Sequence, residues 1–324
     1  MSIFIGDETT TEDKLSFVDK LKGYVDLTRA HFAIVWPLLF CAGAMLAFRE
    51  YSDFSWLRIL HVAGIGFFGF EAGMVLNDIL DREIDNIEPD DTMTKYWRPF
   101  KKRPIPEGIV SINEAIILFC VFIGITITLI AFLPFPNLLY VYGIMIYAYL
   151  VESFYNIKKR NQKFPFAQIL GRTDLAIFPV AGFLCYGELN LVIVGFIAFL
   201  YPWALAHLAA NDIIDIENDK AKNLKTITVL YGENGTISWI FAMSVLHGIT
   251  TIVFLILGQL GYIALIGFSV GFLVVISANI LLCVKKTSKA RLFALPMYHG
   301  SLFIYIISMI IDSVILPSSA LIPI

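Results

Sequence analysis

Two stretches of the sequence carry the same spacing of side chains that can bind a cation. The first string runs from Asn77 to Asp85 and the second string from Asn211 to Asp219, and both read N-D-I-[L/I]-D-x-x-x-D. Because positions i, i+4 and i+8 lie on one face of a helix, each string predicts a polar stripe of one amide and two carboxylates. The stripes consist of Asn77, Asp81 and Asp85 in the first string and of Asn211, Asp215 and Asp219 in the second.

Each stripe needs a compensating cation, because like charges four residues apart on a helix repel each other. Carboxylate and amide oxygens are hard ligands, which favour Mg²⁺ or Ca²⁺ over zinc, and Mg²⁺ typically bridges carboxylates to substrate phosphates. One string alone could be a solvated helix end. Identical spacing in both strings favours a site instead, so we predict two Mg²⁺ positions, with the six stripe residues as ligands, that bind one diphosphate.

A diphosphate also needs cationic side chains, because negative charge grows on it as it leaves. The candidates in the sequence are Arg103, Lys159 and Arg29. A second Arg-Pro pair, Arg98-Pro99, precedes Arg103-Pro104, and the sequence leaves open which arginine contacts the phosphate.

The elements that position these residues are membrane helices. Of the 324 residues, 58% are hydrophobic and 16% are charged, against about 25% charged residues in soluble domains. The apolar residues form blocks of about 20 residues, the length that crosses a bilayer. We predict an all-α integral membrane protein with nine transmembrane helices, at 31–48, 57–76, 113–133, 137–154, 166–186, 190–208, 236–257, 260–283 and 292–315.

The distribution of basic residues indicates how these helices are oriented in the membrane. With nine spans, 22 of the 24 Lys and Arg residues fall on one side of the membrane. Cytoplasmic loops carry this excess, so we predict a cytoplasmic N-terminus, an external C-terminus and an active site on the cytoplasmic side.

The two strings follow spans four apart, which predicts two pseudo-repeated helical halves around a central cavity. We expect one membrane-embedded domain over 1–324, with the loops 77–112 and 211–235 as a cytoplasmic cap. Residues 1–30 form the N-terminal segment, with an interfacial amphipathic helix at 15–28.

These motifs resemble the UbiA superfamily of intramembrane prenyltransferases. The N-D-x-x-D-x-x-x-D motif of that family matches Asn77 to Asp85, and its D-x-x-x-D motif matches Asp215 to Asp219. Its R-P-x-x-x-G element is similar to Arg103 to Gly108, and its Y-x-x-x-K element matches Tyr155 to Lys159. Seventeen residues separate Asp85 from Arg103, a longer gap than we expect for the family.

The resemblance implies Mg²⁺-dependent transfer of a prenyl group from an allylic prenyl diphosphate to a lipophilic or aromatic acceptor, such as a quinone precursor or a lipid glycerol phosphate. It implies that Asp81, Asp85, Asp215 and Asp219 are catalytic, with Asn77 and Asn211 binding substrate and metal. By the same resemblance, Tyr155 and Lys159 lie near the phosphate and the reacting carbon. Membrane lipid, and no nucleic acid, is the further partner that we expect.

The alternative is a cation-coupled secondary transporter that uses the two acidic stripes. The strings argue against it, because they lie at the ends of spans and continue into long loops, whereas transporter acids typically lie near the bilayer midplane. Glu71 and His207 lie inside spans and are either site residues or hydrogen-bonded interior groups. Glu152, Asn156, Arg172 and Asp174 are interpreted as interhelical pairs rather than ligands.

Overall fold

The structure of the chain, a computed structural model, describes residues 16–51 and 54–315. In these ranges the chain forms fourteen helices and no β-strand. The helices are α1 Phe17–Leu27, α2 Val35–Tyr51, α3 Trp56–Asp81, α4 Thr92–Trp97, α5 Ile112–Ala131, α6 Asn137–Lys158, α7 Phe166–Gly171, α8 Thr173–Leu184, α9 Leu191–Ile214, α10 Ile216–Ala221, α11 Ile227–Leu257, α12 Tyr262–Val284, α13 Ser288–Arg291 and α14 Ala294–Ile315. The predicted all-helical fold is therefore confirmed for the described residues.

Each predicted apolar block coincides with helical structure, but the helices in these blocks differ in length, and not all are long enough to cross a membrane by themselves. Within the described ranges, seven helical stretches are long and apolar enough to cross a membrane. These are Trp56–Asp81, Ile112–Ala131, Asn137–Lys158, Leu191–Ile214, Ile227–Leu257, Tyr262–Val284 and Ser288–Ile315. The other two blocks give α2, which has 17 residues, and the pair α7 and α8, which Arg172 separates. For these two blocks, membrane crossing stays a prediction.

Helix α1 forms where the sequence predicts an amphipathic helix. Its N-cap is Ser16, whose side chain accepts a hydrogen bond from the Asp19 backbone N–H. Phe17 at the start of the helix is 83% exposed, while Leu27 at its end is fully buried. An exposed aromatic side chain at a helix start fits a position at the membrane surface. Residues 1–15 of the predicted N-terminal segment lie outside the described residues.

The centre of the fold is the crossing of α2 and α8, where two glycines allow the backbones to touch. A Cβ atom at Gly182 would lie 1.9 Å from the carbonyl oxygen of Phe40. A Cβ atom at Gly43 would lie 1.9 Å from the carbonyl oxygen of Pro179. Small residues are the usual means by which membrane helices approach closely. The crossing therefore depends on glycine at both positions.

Around this crossing, the packing of the first helices is repeated by the later ones. Helix α2 packs against α3, and α3 packs against α5. In the same way α8 packs against α9, and α9 packs against α11. The two strings lie at equivalent places in this pattern, at the ends of α3 and α9. This arrangement is what two related helical halves would produce.

The helices end within the strings rather than after them. Helix α3 ends at Asp81, and α9 ends at Ile214. Helical hydrogen bonds nevertheless continue, because the Asp85 N–H donates to the Asp81 carbonyl at 2.9 Å and the Asp219 N–H donates to the Asp215 carbonyl at 3.0 Å. The i, i+4 spacing of the stripes therefore persists past the helix ends. The second predicted cap loop, 211–235, is partly helical, because α10 lies inside it and α11 begins at Ile227.

We expect Gly182→Ala to lower the free energy of unfolding more than glycine-to-alanine substitutions elsewhere in the helices do. The added methyl group meets backbone atoms that cannot rotate away, and overpacking of this kind typically costs about 1–3 kcal/mol. The matched control is Gly124→Ala in α5, where a Cβ atom would have nothing within 4 Å. Thermal unfolding in detergent should give a lower midpoint for Gly182→Ala and an unchanged or higher one for Gly124→Ala. Equal midpoints for the two variants would show that the crossing is not tight.

Candidate active site

One cavity of about 340 Å³ lies among α3, α6, α8 and α9, next to the loops that follow α3 and α9. All residues predicted for the site line it, namely Arg29, Asn77, Asp81, Asp85, Arg103, Tyr155, Lys159, Asn211, Asp215 and Asp219. Tertiary structure thus brings the two strings, which are far apart in the sequence, to one cavity. Arg98, the alternative arginine, lines the cavity as well.

The carboxylates of the first string are held by basic side chains. Lys159 Nζ donates to Asp81 Oδ2 at 2.6 Å, and Arg103 forms a salt bridge of 2.6 Å with Asp85. Lys222, from the loop after α9, reaches across the cavity to Asp85 at 2.8 Å. Burial by itself would raise the pKa of Asp85, but Arg103 and Lys222 bring that pKa below its ordinary value.

The second string has a different electrostatic environment. Asp215 accepts a hydrogen bond of 2.6 Å from Asn218, and Asp219 accepts one of 2.7 Å from Thr226. Among the described residues, no basic side chain forms a salt bridge with either carboxylate. Burial raises the pKa of Asp215 to about 6. Burial, reinforced by the neighbouring carboxylates of Asp212 and Asp215, also raises the pKa of Asp219.

The donor set of the cavity fits Mg²⁺, most directly at the second string. Its donors are carboxylate and amide oxygens, the ligands that Mg²⁺ takes. Among the described residues, the acids of the second string form no salt bridge like those of the first string with Lys159, Arg103 and Lys222. In residues 16–51 and 54–315, however, no three His, Cys, Asp or Glu side chains are close enough together to hold a metal ion. Ions at this site would therefore bind through ligands that a substrate oxygen or water completes.

The two candidate arginines have different partners. Arg98 is 3% exposed and donates to the Asp26 carbonyl oxygen and to Asp78 Oδ2, both at 2.8 Å. Arg103 contacts Asp85 of the first stripe and Glu88. Arg98 thus ties α1 to the end of α3, whereas Arg103 contacts a predicted metal ligand. This geometry favours Arg103 as the arginine that serves the phosphate.

Arg29 lies at the entry to α2 in a left-handed backbone conformation, with φ of 46°. Its guanidinium donates to Asp78 Oδ1 at 2.8 Å and lies 3.4 Å from Asn77 Oδ1. This backbone conformation costs free energy in a residue other than glycine, and the surrounding contacts must offset that cost. The conformation places its positive charge at the edge of the first stripe.

Residues interpreted as interhelical pairs orient the amide of the first stripe. Asn77 Nδ2 donates to Glu152 Oε1 at 2.9 Å and to Asn156 Oδ1 at 3.1 Å. The amide nitrogen therefore faces α6, and Oδ1, which accepts a long hydrogen bond from Arg29, is the atom that can bind a cation. Arg172 lies over the ring of Tyr155, with its guanidinium carbon 5.2 Å from the ring centroid. Among the described residues it forms no salt bridge with Asp174.

The sequence did not indicate three residues that connect elements around the cavity. Lys222 is one of them, and nothing in the sequence distinguishes it from the other lysines in the loops. Asn218 is the second: it donates to the Asp90 carbonyl oxygen at 2.7 Å and accepts from the Asp90 N–H at 3.0 Å. His299 is the third: its Nε2 lies 3.1 Å from Nε2 of the cavity residue His207, and its Nδ1 lies 2.6 Å from the hydroxyl of Tyr96. Only the position of Asn218, inside the second string, was a usable signal.

Comparison with known proteins gives one family. The sequence profile of the UbiA prenyltransferase family matches residues 35–307. The chain is 26% identical over 214 residues to digeranylgeranylglyceryl phosphate synthase of Thermococcus sibiricus, covering 66% of this chain and 70% of that protein. It is also 26% identical over 219 residues to 4-hydroxybenzoate octaprenyltransferase of Vibrio atlanticus, again covering 66% and 70%.

Solved structures share the fold. A UbiA homologue from Aeropyrum pernix K1 aligns with a TM-score of 0.71 at 20% identity, covering 87% of this chain and 98% of that one. A UbiA homologue from Archaeoglobus fulgidus bound to DMAPP and Mg²⁺ aligns with a TM-score of 0.62 at 16% identity, covering 91% and 100%.

We expect ligand-free Asp215→Asn protein to be more stable than the wild type near neutral pH. The pKa of Asp215 is about 6 in the folded protein, against an ordinary 3.8. Folding therefore favours the protonated acid, and this contribution to stability is lost as pH rises through about 6. The amide does not ionise, so the advantage of the variant should appear above that pH and vanish in acid. Thermal unfolding in detergent with chelator, over a pH series, measures it.

The matched control is Asp81→Asn, which should lower stability. That substitution removes the negative charge that faces Lys159 and Arg160, and breaking a buried ion pair from one side costs roughly 3–5 kcal/mol. Equal destabilisation of the two variants would mean that the strings do not differ electrostatically.

Proposed function

Because the chain belongs to the UbiA prenyltransferase family, we propose that it transfers the prenyl group of an allylic prenyl diphosphate to a lipophilic or aromatic acceptor, with Mg²⁺ required. Membership of this family makes it a membrane-embedded enzyme of the transferase class. The relatives suggest two acceptor classes, a lipid glycerol phosphate and a hydroxybenzoate-type quinone precursor. The family match gives no support to the transporter hypothesis.

The observation that carries this proposal is the unequal charge balance of the two strings. Basic side chains neutralise Asp81 and Asp85, while Asp215 and Asp219 have no basic partner within salt-bridge distance among the described residues. We assign one Mg²⁺ to each string, with Asn77, Asp81 and Asp85 on one side and Asn211, Asp215 and Asp219 on the other. When bound, Mg²⁺ supplies positive charge to the oxygens of the departing diphosphate.

The basic side chains have a second role in this proposal. Three basic side chains line the cavity, those of Lys159, Arg103 and Lys222. Salt bridges with Asp81 and Asp85 fix their positions. A diphosphate between the strings competes with these carboxylates for the ammonium and guanidinium groups. As the allylic C–O bond breaks, the electron pair stays on the diphosphate, and these fixed cations stabilise it without reorganisation. The same groups also position the substrate.

The apolar part of the cavity receives the prenyl chain and protects the allylic cation from water. Trp36, Phe70, Leu175 and Phe178 line it. Tyr155 lies between the two parts of the cavity, with Lys159 Nζ 4.8 Å from its ring centroid. We assign to Tyr155 a place beside the reacting carbon, where its ring excludes water and its electron-rich face meets positive charge.

We further propose nine membrane spans, with the N-terminus and both loops on the cytoplasmic side, as the distribution of basic residues indicates. In a cysteine-free background, Glu107→Cys and Lys220→Cys should react with a membrane-impermeant thiol reagent only from the cytoplasmic side. Gln259→Cys, between α11 and α12, should react only from outside. Labelling of Glu107→Cys and Lys220→Cys from opposite sides would contradict this topology.

We expect Asp81→Ala and Asp215→Ala each to remove most of the turnover. In the double variant, the increase in activation free energy should be far smaller than the sum of the two single increases. Residues that act on one diphosphate as a unit are strongly non-additive. Product formation from geranylgeranyl diphosphate, with and without EDTA, measures both points.

Two further readouts test this expectation. Chelator should abolish product formation, and Mg²⁺ should restore it. Stabilisation of the ligand-free protein by Mg²⁺ plus prenyl diphosphate, which follows mass action, should shrink in both single variants. Additive losses, or full activity of metal-free enzyme, would contradict the shared site.

A further inference from the structure

Glu71 is a buried carboxyl group that the proposed chemistry of the strings does not use. It lies on α3, lines the cavity and is 2% exposed. Its Oε2 atom has no hydrogen-bond partner, and among the described residues no basic side chain forms a salt bridge with it. A buried polar atom without a partner costs free energy, and an unpaired acid inside a membrane span is a candidate for substrate binding.

Glu71 lies outside the stripe of the first string and farther from the two loops than any residue of that stripe. It precedes Asn77 by six residues, which places it roughly 9 Å farther along α3. Among the described residues, no cation of the cavity forms a salt bridge with Glu71, and Arg172 lies over the ring of Tyr155. Arg29 and Arg98 contact Asp78, and Lys159 contacts Asp81. The group that completes the hydrogen bonding of Glu71 must therefore come from another ligand.

The surroundings of Glu71 indicate what kind of ligand this is. The preceding residue, Phe70, stacks on Trp36 with ring centroids 4.5 Å apart and contacts Phe178 at 5.6 Å. This part of the cavity is therefore suited to an apolar molecule. Two further carboxyl groups, those of Glu152 and Asp174, also line the cavity. The unpartnered oxygen of Glu71 can accept a hydrogen bond from an uncharged donor group of such a molecule.

We propose that Glu71 binds the acceptor substrate, through a hydrogen bond that an uncharged hydroxyl group of the acceptor donates to Oε2. This inference rests on the proposed prenyl transfer and names the chemistry of its second substrate. A lipid alcohol and a phenol both carry such a hydroxyl group, and the experiment distinguishes these two sources. The Trp36–Phe70 stack forms an apolar wall that the rest of the acceptor shares with the prenyl chain.

The test compares Glu71→Leu, which removes the hydrogen-bonding group, with Glu71→Gln, which retains a carbonyl oxygen at that place. Kinetics with geranylgeranyl diphosphate and Mg²⁺ use geranylgeranylglyceryl phosphate in one arm and 4-hydroxybenzoate in the other. In the arm that the wild type uses, Glu71→Leu should raise the acceptor KM roughly 2- to 10-fold, the range for one hydrogen bond between uncharged groups. The KM of the prenyl diphosphate should stay unchanged, and Glu71→Gln should recover most of the loss.

Two controls separate binding from folding. Glu50→Leu removes an exposed carboxylate that accepts a hydrogen bond from Asn190 outside the cavity, and it should leave both KM values unchanged. Glu71→Leu should unfold at the same temperature as the wild type or higher, because it removes a buried group without a partner. A purely structural Glu71 would instead lower the unfolding temperature of this variant.

An unchanged acceptor KM in Glu71→Leu would overturn the inference, and so would an equal rise in the KM of the prenyl diphosphate. A third outcome would also overturn it: no binding of either acceptor to the wild type. That binding is measured by thermal shift with Mg²⁺ and an unreactive thiolodiphosphate analogue. Failure of the proposed function is recognised separately. In that case the wild type would gain no thermal stability from Mg²⁺ plus geranylgeranyl diphosphate.

Discussion

Buried negative charge is the constraint around which this protein is built. Two helices, α3 and α9, end in carboxylates that are withdrawn from water, and each carboxylate needs a positive partner or a proton. On α3 the partners are side chains from other elements: Lys159 follows α6, and Arg103 and Lys222 come from the two loops. These ion pairs hold the loops against the helix bundle. After α9 no basic side chain in the described part of the chain forms a salt bridge with Asp215 or Asp219, so that end of the cavity has a surplus of negative charge.

This imbalance suits a site that must bind a metal and an anion together. A cavity with complete internal neutralisation would gain little from Mg²⁺, and one without cations would repel a diphosphate. Here the cations stand on one side of the cavity and the uncompensated acids on the other. Contacts between the loops, such as Asn218 with Asp90, keep the two sides at a fixed separation. The arrangement is preorganised, which is the property that electrostatic catalysis requires.

Beyond the strings, the cavity changes from charged to aromatic. The α2–α8 crossing places Trp36 and Phe178 beside Phe70 of α3, and glycines at the crossing permit that approach. Glu71 interrupts the apolar wall with one unsatisfied carboxyl oxygen. A reaction between a prenyl chain and a second lipophilic molecule needs an apolar volume, together with a specific polar contact that fixes the second molecule. The cavity contains both features.

The sequence by itself determined the helical architecture, the apolar blocks and the repeated strings, because these are local properties. Helical periodicity fixes which of Asn77, Asp81 and Asp85 share a face, and hydrophobic length fixes which segments are helical. Four motifs sufficed for the resemblance that the family match then confirmed. The helix ends inside the strings could not be located, since capping contacts compete there with continued helical hydrogen bonds.

Only the tertiary structure decided which charges meet. The sequence left open whether Arg98 or Arg103 contacts the phosphate. The approach of α1 to α3 gives Arg98 the carbonyl of Asp26 as a partner and leaves Arg103 to Asp85. Lys222 was indistinguishable from other loop lysines until the second loop placed it against the first string. The two strings have the same pattern of side chains, yet their electrostatics differ. The physical reason is that the state of a buried charge depends on groups brought near it from distant parts of the chain.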